Sequence, residues 1–198
     1  SPIRSRLGPL PSWEYTGNAN AKLHLEIPVK QVPGQQNHGD YQVKAKLNNG
    51  SLSIPSTAIA VTNIAGELGF SVDRGLFSEG VRGEMWQQPL TAAFFKTGAD
   101  QFIALSTVVA PKSLSQLVEF PWDEVLIGAI PIEGLVTIKQ GGASSSPVTL
   151  QLTSQMQAME IKLPPPLGKR VGDKLPLDIT LYYDPDFKRL AGTIGSEL

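Results

Sequence analysis

Leu52–Phe95 reads LSIPSTAIAVTNIAGELGFSVDRGLFSEGVRGEMWQQPLTAAFF, and its middle decides the fold class. Ile64, Gly66, Leu68, Phe70 and Val72 fall on one parity, while Glu67, Gly69 and Ser71 fall on the other. A period of two marks a strand with one buried face, because successive side chains of extended backbone point to opposite sides. Asp73-Arg74-Gly75 interrupts the run with residues suited to a tight turn. Val81, Gly83 and Met85 then oppose Arg82 and Glu84, and after Pro89 a third run sets Leu90, Ala92 and Phe94 against Thr91, Ala93 and Phe95. The stretch predicts a meander of short antiparallel strands.

The flanking sequence repeats the same grammar. Leu23, Leu25, Ile27 and Val29 alternate with Lys22, His24, Glu26 and Pro28, and Tyr41, Val43, Ala45 and Leu47 alternate with Gln42, Lys44 and Lys46. Asn49-Gly50, between two apolar runs, predicts a two-residue hairpin turn. Beyond the meander, Thr97–Asp100 reads as a turn into a strand over 101–109. Residues 111–128 break the alternation: Leu114, Leu117 and Val118 have helical spacing behind Ser113 as a cap, with a second helical turn after Pro121. Strands resume over 132–138, 148–152, 159–163, 175–183 and 190–194, and the proline-rich Pro164–Lys169 predicts a stiff loop. Residues 1–19 read as an irregular lead-in, and 20–198 as a single β-rich module with a subdivision expected near 111–128. The count is roughly ten to twelve strands.

Almost every strand has one apolar and one polar face, and one short helical segment is too small to cover the apolar side. Two architectures remain: a second sheet packed face to face, or one elongated, curved sheet folded over an apolar groove. Both are all-β and mostly antiparallel.

Bulk properties exclude several function classes. The 198 residues carry a net charge of −1, which leaves no electrostatic footprint for nucleic acid. Cysteine is absent, so disulfides, thiolate metal sites and a cysteine nucleophile are excluded. The chain opens at Ser1-Pro2 without a basic or apolar leader, and its longest apolar run, Val125–Val136, contains Pro131 and Glu133. We therefore expect a slice of something longer, with any membrane contact made by parts outside it.

Candidate chemistry is sparse. His24 lies on the polar parity, and His38 with Asp40 is a weak pair in a polar loop. Asp184-Pro185-Asp186 lacks the further oxygen ligands of a Ca²⁺ loop. Ser144–Ser146 sits outside any nucleophile elbow, and Glu67, Glu79 and Glu84 have no local partner that would pair them for hydrolysis. Trp13, Trp86 and Trp122 are read as packing residues rather than a sugar platform. We expect no enzyme, no cofactor and no metal.

The motifs carry a resemblance. I-x-G-x-L-x-F at 64–70, the following G-L-F-S, G-x-x-x-x-x-P-L at 83–90, and the segment ending L-P-x-P-L-G-K at 163–169 before Leu175-Pro176-Leu177 resemble the YhdP/AsmA-like family of DUF3971-type proteins. The similarity covers most of residues 20–194, and its motifs are structural. It implies an internal segment of a long periplasmic protein, anchored in the inner membrane of a Gram-negative bacterium. Such proteins move phospholipid between inner and outer membranes along an apolar groove and support the outer-membrane permeability barrier. On that implication acyl chains and adjoining segments of the same chain are the partners, and Phe70, Met85, Phe94 and Ile103 are candidate lining residues. The alternative is a non-catalytic β-sandwich scaffold or binding module of a larger envelope protein.

Overall fold

The computed structural model describes residues 14–26, 40–53, 60–116, 119–139, 148–184 and 187–195. Twelve strands are present among them: β1 (Glu14–Glu26), β2 (Asp40–Ser53), β3 (Ala60–Ser71), β4 (Gly75–Met85), β5 (Gln88–Thr97), β6 (Asp100–Val109), β7 (Leu126–Gly128), β8 (Ile130–Ile138), β9 (Val148–Ser154), β10 (Met159–Ile161), β11 (Leu177–Asp184) and β12 (Phe187–Ile194). Two four-residue helices, α1 (Pro111–Leu114) and α2 (Trp122–Val125), lie between β6 and β7. Ten strands form one open sheet in the order β1-β2-β3-β4-β5-β6-β8-β9-β11-β12. Every pairing in it is antiparallel. Among the described residues no second sheet of comparable size stacks on it, so the sandwich arrangement is not the one observed.

The sheet is a plain meander interrupted twice. α1, α2 and β7 are inserted between β6 and β8, and β10 with its following loop is inserted between β9 and β11. Val109 pairs with Ile130 and Ser154 with Leu177, so both insertions leave from the same end of the strands. There they meet: Met159, Glu160 and Ile161 pair with Gly128, Ile127 and Leu126 in a separate two-stranded sheet. The result is a cap whose core is Leu126, Ile130, Met156 and Met159. Leu114, Trp122, Val125, Ile132, Ile161, Leu175 and Leu177 pack around these four. Met159 is only 2% exposed.

The L-P-P-P-L-G-K loop explains itself in this cap. Ile161 and Lys169 exchange backbone hydrogen bonds at 2.9 and 3.1 Å, closing the loop on itself. A Cβ on Gly168 would collide with the carbonyl oxygen of Leu163, so only glycine fits there. The buried Lys169 ammonium donates to the carbonyls of Met159 (2.6 Å) and Arg170 (3.0 Å), tying the loop to β10.

Several expectations shift. The strand read as starting after residue 19 begins at Glu14. Asn49-Gly50 does not turn the chain: β2 runs straight through it. Asn49 takes a positive φ of 51° and the pairing with β3 slips between Leu47 and Gly50, so the dipeptide makes a β-bulge. Asn-Gly favours positive φ, and a bulge uses that preference as well as a hairpin does. The tight turn appears instead at Trp86-Gln87, both with positive φ (53° and 63°), between Met85 and Gln88. Ser113 does not cap α1; Ala110 holds that position, followed by Pro111 at the first helical residue. The turns expected at 141–142 and 185–186, and the strand end at Ile54-Pro55, lie outside the described residues.

Candidate functional site

Residues paired directly across an antiparallel ladder project to the same face, so register alone sorts the side chains. One unbroken row crosses all ten strands: Ala19, Leu47, Gly66, Val81, Ala92, Leu105, Gly134, Leu152, Ile179 and Gly192. Every member is apolar or glycine. A neighbouring row carries Ser78, Phe94, Ile103, Val136, Leu150 and Leu181. The opposite face carries Lys44 and Glu67 (3.7 Å), Asn63 donating to Glu84 (3.0 Å), Ser106 donating to Glu133 (3.0 Å), and Gln151 donating to Asp178 (3.1 Å).

Strict alternation does not give this sorting in β2, β3 and β4, where apolar-face residues such as Leu47 and Gly50 are an odd number of positions apart. Three bulges restore it. β2 gains a residue at Asn48–Asn49, β3 gains one at Asn63 (φ 53°), and β4 gains one between Ser78 and Val81. Each flips the parity, so Leu47 and Gly50, Val61 and Ile64, and Ser78 and Val81 all stay on the apolar face. In the β4 bulge the Ser78 hydroxyl donates to the Glu67 carbonyl (2.6 Å) and accepts from the Gly80 amide (3.2 Å), so it occupies backbone groups that the ladder leaves free there.

The four lining candidates share this face. Phe70 pairs with Val43 and Leu76, Met85 with Val61, and Phe94 with Ile103. Ile103 is buried, and Phe70, Met85 and Phe94 are half-buried. Ile64, Val81 and Ile103, at the centre of the sheet, are each 8% exposed, although the cap lies over a different part of the face. Glycines let these side chains settle onto the sheet: a Cβ on Gly83 would stand 3.5 Å from Ile64 Cγ1, and one on Gly66 3.5 Å from Val81 Cγ2. At Gly134 a Cβ would stand 3.1 Å from Leu152 Cδ2 and 3.4 Å from the Cβ of Leu105, so both leucines lie down over the missing side chain. Towards the β1 edge the face opens: Leu23 is 68% exposed and Leu25 53%.

The cap sits on the same face at one end only, through Ile130, Ile132 and Leu177. At the other end lies a residue sequence reasoning missed. Gln101, 7% exposed, is on the apolar face opposite Lys96 and Ile138. Its side-chain amide accepts from the Leu76 amide (3.0 Å) and donates to the carbonyls of Leu76 (2.7 Å) and Phe95 (2.8 Å). It stands in for a peptide unit and, from β6, ties Leu76 of β4 to Phe95 of β5. A polar residue at an apolar parity, at a strand start, was the only signal of it.

His24 is exposed on the polar face, opposite Gln42. Among the described residues no three histidine, aspartate or glutamate side chains cluster as metal ligands. His38, Ser144–Ser146 and Asp186 lie outside the described residues. Trp122 packs in the cap beside Phe120 (4.7 Å between ring centres), and Trp86 occupies a turn. A depression of about 630 Å³ lies beside the cap, lined by Glu133, Thr153, Gln155 and Gln157 among others, and Glu133 and Thr153 belong to the polar face. No described helix is long and apolar enough to cross a membrane.

No solved structure matches the chain. It is 26% identical over 202 residues to the intermembrane phospholipid transporter YhdP of Escherichia coli (strain K12), an alignment that takes in all of this chain and 15% of that protein. The YhdP protein family profile matches residues 1–198. By that match over its whole length, the chain belongs to the YhdP protein family.

Proposed function

We propose that this segment is a stretch of a phospholipid conduit, non-catalytic, whose apolar sheet face holds acyl chains while headgroups stay in water. The observation that carries the reading is the ten-strand apolar face, sorted by bulges and covered among the described residues only by a cap at one end. Apolar area left in water costs free energy, at about 25 cal/mol per Å², and this face exposes it most towards the β1 edge, at Leu23 and Leu25. Hydrocarbon tails are the occupant that matches a surface of Leu, Ile, Val, Ala and Phe with few polar groups. The relative's description as a phospholipid transporter supports the same occupant.

In the proposal Phe70, Met85, Phe94 and Ile103 line the conduit, and adjoining segments of a longer chain continue it. The compartment proposed is the periplasm, with the membrane anchor outside this segment. Photocrosslinking tests the lining. A photoreactive residue at position 70 or 94 should capture phospholipid, whereas one at Thr91, on the opposite face of β5 from Phe94, should not. Crosslinks from 70 and 94 to protein alone would favour a scaffold module and sink the conduit reading.

A further inference from the structure

The two ends of the strands differ, and the difference gives a bound lipid a direction. Resting on the conduit reading above, we infer that phospholipid lies along the strands with its headgroup at the end opposite the cap. The headgroup would sit at the β3–β4 and β5–β6 turns, with its phosphate against Lys96 and its tails pointing towards the cap.

At the cap end the apolar face is closed by hydrocarbon. Ile130, Ile132 and Leu177 are overlaid by Leu126, Met156 and Met159, and Leu52, Val61 and Met85 continue this end across β2 to β4. A charged headgroup placed there would be desolvated without a partner, which is costly. At the other end Lys96, half-buried, is paired with Gln101 on the apolar face. Register places this charged residue on that face, and its stem runs alongside Gly75. Both Nε2 hydrogens of Gln101 go to backbone carbonyls, so it has no donor left for a phosphate. Lys96 therefore supplies the cation, at the water boundary, where a lysine can keep its stem on apolar surface and its ammonium wet. Asp100, paired with Thr97, and Arg74, whose guanidinium lies 3.8 Å over the Phe77 ring, belong to the other face, so they do not compete with Lys96 for the phosphate.

The absence of cysteine allows a direct test. Single-cysteine variants Gln87→Cys and Thr97→Cys put a fluorophore at the two ends of β5, about 30 Å apart for its ten residues. Each is titrated with phosphatidylcholine carrying a nitroxide on the headgroup, then with one carrying it at the end of the acyl chain. The headgroup nitroxide should quench the label at 97 at least threefold more than the label at 87, and the tail nitroxide should reverse that order. Equal or inverted quenching overturns the orientation while leaving lipid binding intact. No quenching at either site by either probe refutes the conduit reading and this inference with it. In the Thr97→Cys background, Lys96→Glu should weaken headgroup-dependent quenching severalfold; an unchanged titration removes Lys96 from the site.

Discussion

Gln101→Leu isolates the device that holds the sheet together at its uncapped end. The replacement keeps nearly the same volume on an apolar face, so packing is preserved and hydrogen bonding is lost. Three backbone groups lose their partner: the amide and carbonyl of Leu76 and the carbonyl of Phe95. Leaving a buried polar group unsatisfied costs about 1–3 kcal/mol each. Phe95 and Phe102 are also paired in the β5–β6 ladder, and all three sites are only partly buried, so the lower end applies. The expected loss is about 2–4 kcal/mol, of a total near 5–15 kcal/mol for a folded domain. With a slope of about 2 kcal/mol/M, the urea midpoint should fall by about 1–2 M. Amide exchange at Leu76 should accelerate by more than exchange at Leu105, in the middle of β6. A midpoint within ~0.3 M of the parent, or exchange that accelerates uniformly, would refute the role assigned to Gln101.

Other perturbations divide the molecule into parts. Met159→Ala, in the most buried position of the cap, should cost about 2–5 kcal/mol in urea unfolding, whereas Leu23→Ala at the open edge should cost well under 1 kcal/mol. Lys169→Met keeps the stem but removes the bonds to Met159 and Arg170; the expected loss is about 1–3 kcal/mol, accompanied by faster amide exchange at Ile161. Phe95→Ala removes a stacked pair with Phe102 (5.3 Å between ring centres) from the polar face. It should cost about 1 kcal/mol beyond lost area and leave lipid crosslinking from position 94 unchanged.

Much of this architecture was legible because alternation is a local property. Ile64 to Phe70 and Val81 to Met85 declare their face within a few residues, and the strands and the helical interruption follow. The bulges were not legible, since Asn49-Gly50 satisfies a turn and a bulge with the same positive φ. Leu47 and Gly50 are an odd number of residues apart, and only pairing with β3 shows that they share a face. The cap was hidden for a different reason. Leu126–Gly128 and Met159–Ile161 are each three residues long, and their pairing joins two insertions far apart in sequence. Gln101 was overlooked because parity alone assigned it to the apolar face, where an amide has no evident purpose until Leu76 is placed beside it. Phe70 and Met85 lie in stretches of β3 and β4 beyond the bulges, and Phe94 and Ile103 in stretches without one, so local parity and register put all four on one face.

The central claim is that the face bearing Phe94 and Ile103 receives hydrocarbon. Its most direct measurement is mass spectrometry of organic extracts from the purified protein, beside a Val136→Asp variant that places a carboxylate next to Ile103. The account predicts phospholipid in the parent extract and a loss of at least fivefold in the variant, with the far-ultraviolet circular dichroism of the sheet retained. A parent extract free of phospholipid, or equal phospholipid in both, would contradict it.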